Sequence, residues 1–164
     1  MESNKLFITL GIVWTLIFAI MSFYWAIGGM VGVRSLGGEI YEISLNPELS
    51  FIIVVWTTGF IKLLGVILLL MLLVKWRSTL KVKSLYYITK SVGILLFLYG
   101  LLNFFTISLS TFNILNFNLD GYATFWRLVF WEPFWMIGGL FYFYSVKKVE
   151  DKSRYINLSS IDST

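Results

Sequence analysis

Residues 51–74 read FIIVVWTTGFIKLLGVILLLMLLV, an apolar run in which Lys62 is the single charge. A helix needs roughly 20 consecutive apolar residues to cross a hydrocarbon core about 30 Å thick, so this stretch predicts a membrane-crossing helix. Three further runs meet the same criterion: Leu6 to Gly29, Ile88 to Ile107 and Tyr122 to Val146. The sequence therefore predicts an all-α integral membrane four-helix bundle over residues 1–149. A short polar tail, 150–164, follows it and is expected to be disordered. The first run ends in Tyr24, Trp25 and a glycine pair without an A-x-A cleavage pattern, and is read as a retained anchor.

Composition leads to the same medium. Of 164 residues, 58% are hydrophobic and only 13% charged, too few polar side chains to clothe a soluble fold of this size. The chain has no cysteine and no histidine. That removes disulfides, thiolate metal sites, histidine-ligated zinc or haem and histidine general bases, so no metal and no cofactor is expected.

The formal charge of +4 is unevenly placed. Lys75, Arg77, Lys81, Lys83 and Lys90 flank the loop between the second and third runs, whereas Glu39, Glu42, Glu48 and Asp120 dominate the other two loops. Basic loops face the cytoplasm, and Lys147, Lys148, Lys152 and Arg154 after the fourth run give the same orientation. Both termini are thus expected inside. The basic surplus is accounted for by topology, and no nucleic-acid partner is expected.

Polar groups inside the runs are expensive and therefore informative. A lysine near mid-span costs on the order of 2.5 to 3.5 kcal/mol to insert unless it finds a partner. Lys62 shares a helical face with Thr58, Gly59 and Gly65 and is expected to point into the bundle, either as a structural ion pair or as part of a functional site. Glu132, in the outer part of the fourth run, is its expected partner. Pro133 beside it frees a backbone carbonyl near Val129 and predicts a kink there. Arg127 lies nearer the surface and has three candidate partners, Glu132, lipid phosphate and an acidic outer-loop residue, of which lipid phosphate is the commonest for an arginine at that depth. Asn103 continues a stripe with Tyr99, Gly100, Thr106 and Ser110, which predicts an interhelical hydrogen bond. Tyr24, Trp25, Trp126, Trp131 and Trp135 lie at about one level and are mostly expected in an aromatic belt at the headgroups. Tyr24, Trp25 and Trp135 are also candidates, with Lys62, Asn103, Arg127 and Glu132, to line a site for a small amphiphilic or zwitterionic ligand. Finally, Gly11, Thr15, Ala19, Ser22, Ala26 and Gly29 form a small-residue stripe suited to close helix packing.

Phe23-Tyr24-Trp25-Ala26-Ile27-Gly28-Gly29 and Trp131-Glu132-Pro133-Phe134-Trp135-Met136-Ile137-Gly138-Gly139 resemble an uncharacterised family of small bacterial four-span membrane proteins, known as a domain of unknown function. The resemblance implies a bacterial cytoplasmic (inner) membrane and no particular activity. It singles out Gly28, Gly29, Gly138 and Gly139, which are expected in helix packing. Where the family pattern has a basic residue directly after the first glycine pair, this chain has Met30, with Arg34 further on.

Three functions remain open. The first is a non-enzymatic accessory subunit or resistance or immunity factor that binds a lipid, peptide or small molecule in the outer half of the bundle. Its partners would be membrane lipid and a second copy of the chain or another membrane protein. The second is a small oligomeric transporter or channel with Lys62 and Glu132 on its path. The third, an intramembrane enzyme using Glu132 as acid or base, is disfavoured because no nucleophile with an adjacent base is present.

Overall fold

A computed structural model describes residues 2–74, 79–112, 114–115 and 119–146. Lys75, Arg77, Lys147, Lys148, Lys152, Arg154 and the expected polar tail lie outside the described residues. The described chain is all helix: α1 (Glu2–Ala26), α2 (Val33–Leu36), α3 (Gly38–Leu45), α4 (Leu49–Met71), α5 (Thr79–Thr111), α6 (Gly121–Trp126) and α7 (Glu132–Ser145), with a π-helical segment, Arg127–Trp131, joining the last two. Three helices are long and apolar enough to cross a membrane: Lys5–Ala26, Leu49–Met71 and Leu80–Thr111. The fourth expected run is helical too, but in three consecutive pieces.

The expected third span, 88–107, is the middle of a 33-residue helix. Thirty-three residues at 1.5 Å each span about 50 Å, well beyond a hydrocarbon core. The first turns of α5 carry Lys81 and Lys83, so the described part of the basic stretch is helix and not loop. Between α1 and α4 the expected outer loop folds into α2 and α3.

α1 ends because Gly28 takes a left-handed conformation, φ 91°. The amide of Gly28 donates to the Trp25 carbonyl at 3.0 Å and that of Gly29 to the Tyr24 carbonyl at 2.9 Å. This 5→2 and 6→1 pair is the glycine-terminated helix stop, which satisfies carbonyls of the last turn that would otherwise be orphaned. The expectation that Gly28 and Gly29 pack helices together is corrected here. No neighbour approaches the position of a Cβ on Gly28, and a Cβ on Gly29 would strike the ring of Tyr24.

Packing divides unequally. α5 lies along α7 and α1 along α4, α1 also packs on α7, and α4 and α5 barely meet. The helices thus run in the order α4, α1, α7, α5. The small-residue stripe from Gly11 to Ala26 is buried, as expected, with Gly11 beneath Leu69 of α4 and Phe141 of α7. Trp14 occupies the surface left by Gly138, and its Nε1 donates to the Phe134 carbonyl at 3.0 Å. At α5 and α7 the approach is between backbones. A Cβ on Gly139 would stand 2.6 Å from the Gly93 carbonyl oxygen, and one on Gly93 would stand 2.8 Å from the Gly139 carbonyl oxygen. Gly100, two turns on, faces the Glu132 carbonyl in the same way.

Aromatic side chains fill the space between α1 and α7. Trp135 lies 4.6 Å from Phe18, 5.5 Å from Trp14 and 5.4 Å from Tyr99, measured between ring centroids. Trp131 is buried, and its Nε1 donates to Ser35 Oγ of α2 at 2.8 Å. These two tryptophans are core and not interfacial belt, because Gly138, Gly139 and Gly100 bring the backbones close enough for rings to interlock. Trp126 stays exposed.

Backbone cannot yield as a flexible side chain does, so Gly139→Ala should destabilise the α5–α7 pair by about 1–3 kcal/mol, the usual range for overpacking. Gly121→Ala, where nothing lies within 4 Å, should be neutral. Thermal unfolding of both variants in one detergent checks the contrast; equal stability would refute the glycine crossing.

A candidate ligand cavity beside Lys62

Lys62 lies on the face of α4 that meets α1. A Cβ on Gly59, one turn away, would strike the ring of Phe23 of α1, and one on Gly65 would meet the Tyr142 hydroxyl of α7 and the methyl of Thr15 of α1, so α4 approaches α1 closely on both sides of the lysine. Its ammonium reaches across and donates to Ser22 Oγ at 2.6 Å. Glu132, the expected partner, does not meet it. α1 stands between α4 and the start of α7, and Glu132 turns toward Arg127 instead.

The geometry of that second pair follows from the π segment. In an α-helix, residues five apart point about 140° away from each other. The wider turns of a π-helix return residue i+5 to the face of residue i. The Glu132 amide donates to the Arg127 carbonyl in this wider pattern. On the side-chain level, Arg127 Nε and Nη2 donate to Glu132 Oε1 at 2.9 and 2.8 Å. The Arg127 guanidinium is therefore held by Glu132, one of its expected partners, within its own segment. The expected kink takes the form of this π segment, which stops just short of Pro133. Glu132 is only 2% exposed, and among the described residues its Oε2 has no hydrogen-bond partner.

Asn103 stands apart from both groups. Its Nδ2 donates to the Tyr99 carbonyl of its own helix at 2.9 Å, so the expected interhelical bond is replaced by a bond within α5. Tyr24 and Trp25 instead shape the turn after α1: the Val31 amide donates to the Tyr24 hydroxyl at 3.4 Å, and Trp25 Nε1 donates to the Val31 carbonyl at 2.9 Å. Of the seven residues expected at one site, Lys62 and Trp25 line a common cavity, Arg127 and Glu132 pair elsewhere, and Trp135 is in the core.

The cavity has a volume of about 550 Å³, within the roughly 300–1,000 Å³ of ordinary small-molecule sites. Its walls are the end of α1, the turn at Gly28 and Gly29, the α2–α3 segment and the first half of α4. Lys62, Ser22 and Thr58 are its polar groups toward mid-helix, and Ser44 lies at the loop end. No carboxylate lines it. Sequence reasoning found Lys62 but missed Ser22 as its partner. The signal was there: Ser22 is the polar member of the small-residue stripe, and an antiparallel α1–α4 pair brings it level with Lys62.

The family profile described as protein of unknown function DUF3995 matches residues 15–142, which is most of the chain. The chain belongs to the DUF3995 family. No curated protein and no solved structure matches it. The matched region of this DUF3995 protein takes in Ser22, Lys62 and the cavity walls as well as the Arg127–Glu132 pair, and it leaves out the start of α1 and the end of α7.

Removing one partner of a buried ion pair typically costs about 3–5 kcal/mol, because a charge is left uncompensated, whereas removing both is often nearly neutral. Arg127→Met in this DUF3995 protein should therefore lower thermal stability clearly, and adding Glu132→Leu should recover most of the loss. A double variant no more stable than the single would show that the two residues act independently.

Proposed function

We propose that this DUF3995 protein is a four-span protein of a bacterial cytoplasmic membrane, with both termini inside, and that it is a non-enzymatic binder of a small amphiphilic molecule in the outer half of its helices. An accessory or a resistance or immunity role fits that description. The observation that carries the binding reading is the 550 Å³ cavity with the Lys62 ammonium in its wall. An apolar chamber with few polar groups at one end is the usual form of a ligand site.

The four-span reading draws on the unbroken run of helix from Gly121 to Ser145, 25 residues in three pieces, beside three helices that are long and apolar enough to cross a membrane. Twenty-five helical residues reach about 37 Å, enough for a hydrocarbon core. The orientation draws on Lys81 and Lys83 at the start of α5, set against Glu39 and Glu42 on α3.

One observation favours a second reading, a small oligomeric transporter. The Oε2 of Glu132 is buried without a hydrogen-bond partner among the described residues, and membrane carboxylates of this kind mark ion and proton paths. Among the described residues, however, Lys62 and Glu132 are held by different partners and Glu132 does not line the Lys62 cavity, so the binding reading is preferred.

The chain has no native cysteine, so single substitutions label cleanly. Ser44→Cys should react with an impermeant maleimide in intact cells, and Lys81→Cys only after permeabilisation; the reverse pattern would sink the orientation. For the binding reading, the wild-type protein purified in mild detergent should retain a small molecule detectable by native mass spectrometry. Its occupancy should fall markedly in Lys62→Leu, and equal occupancy in the two would count against the cavity.

A further inference from the structure

The Lys62 cavity is chemically one-sided. Its wall contains a cation and no acid, and among the described residues no carboxylate pairs with Lys62. Ser22 gives that ammonium a single neutral acceptor, which offsets only part of the cost of placing a lysine at mid-span. Apart from Thr58 and Ser44 the remaining walls are mainly apolar, among them Val33, Ile40, Phe51 and Val55. A cation in a low-dielectric chamber attracts an anion far more strongly than the same cation in water does.

The donors can be counted. Lysine carries three N–H groups, of which one goes to Ser22, and the Ser22 hydroxyl keeps its own proton because it accepts in that bond. The Thr58 hydroxyl already donates to the Val55 carbonyl at 2.8 Å. Two N–H groups and one O–H are left, on residues of adjacent helices that line the same end of the chamber. That set suits the two oxygens of a carboxylate. A phosphate dianion brings a second charge for which the wall has no second cation, and a quaternary ammonium or zwitterionic head brings a cation for which it has no acid.

We infer that the cavity between α1, α3 and α4 is a site for a single-chain carboxylate amphiphile of fatty-acid type, its head at Lys62 and Ser22 and its chain along the apolar wall. The inference rests on the ligand-binding reading above and names the class of ligand. Lys62 then has its counter-ion when the site is filled, and the Ser22 bond holds the ammonium in place beforehand.

The test uses the full chain in nanodiscs of zwitterionic lipid at mildly alkaline pH, with a diazirine-bearing palmitate as the photoprobe. Palmitate, hexadecanol and hexadecyl phosphate compete for labelling, and the labelled peptides are mapped by mass spectrometry. The expected label falls on the peptides that contain Met30 and Phe51 to Thr58, and palmitate should compete at a concentration about tenfold lower than hexadecanol, roughly 1.4 kcal/mol of preference. Lys62→Met should abolish that preference and Lys62→Arg should keep it. Comparing variants in identical nanodiscs cancels differences in membrane partitioning. Equal competition by palmitate and hexadecanol, or a preference that survives in Lys62→Met, would overturn the carboxylate assignment while leaving a ligand cavity in place. Hexadecyl phosphate as the best competitor would replace the carboxylate with a phosphate head. Absence of any cavity label would overturn the binding reading itself. If Lys62→Met does not fold, as judged by size exclusion, the wild-type competition series decides alone.

Discussion

Helices whose outer faces are as apolar as their surroundings gain little by hiding those faces, so close fit and hydrogen bonding must supply what hydrophobic burial supplies in water. In this chain the closest backbone-to-backbone fit is the crossing of α5 and α7 at Gly93 and Gly139, where the carbonyl of each glycine occupies the space a Cβ on the other would need. Everything on the other side of α7 depends on that contact. With α7 pressed against α5, Gly138 turns to α1 and admits the Trp14 indole, which in turn donates to the Phe134 carbonyl. The rings of Phe18, Phe134 and Trp135 then fill the remaining space at centroid distances of 4.6–5.9 Å from Trp14 or from each other.

The π segment is the price of keeping a charged pair inside that packing. Arg127 and Glu132 are five residues apart, a spacing that an α-helix would send to different faces. One wider turn brings them together, immediately before Pro133, which has no amide to continue the ordinary ladder. The device is local, so the pair needs no second helix. That is why Glu132 is unavailable to Lys62, and why the two halves of the expected outer polar cluster come apart.

Much of the helical plan was legible in the sequence because length and apolarity are enough to read it. The run 51–74 corresponds to Leu49–Met71, and the start of the first run and the whole third run lie inside longer helices. The orientation of Lys62 was legible as well, since Thr58, Gly59 and Gly65 mark a packing face. Partner choice was not. It depends on helix order, and a sequence of four apolar runs carries little information on which run stands between which others. With α1 between α4 and the start of α7, Ser22 becomes the neighbour of Lys62. Gly28 shows a related limit: a glycine at a helix end serves equally well for packing or for a left-handed stop, and only its φ of 91° separates the two. Gly93 escaped notice for the opposite reason. Its role lies in what approaches it from another helix, and a lone glycine among leucines does not disclose that.

The separation of the two polar groups bears on function more than either group alone. Had Lys62 met Glu132, the bundle would hold a closed ion pair, electrically complete without a ligand. Instead, Glu132 is served by an arginine in its own segment, and the lysine faces a chamber whose wall has hydroxyls and hydrocarbon but no acid. A relay of ions through the bundle needs a polar route from one group to the other, and the aromatic packing of Phe18, Trp131 and Phe134 between α1 and α7 is poorly suited to provide one. An uncompensated cation in an apolar chamber needs no such route. It needs only a molecule that brings the missing charge with it, and the chamber is of a size to take one.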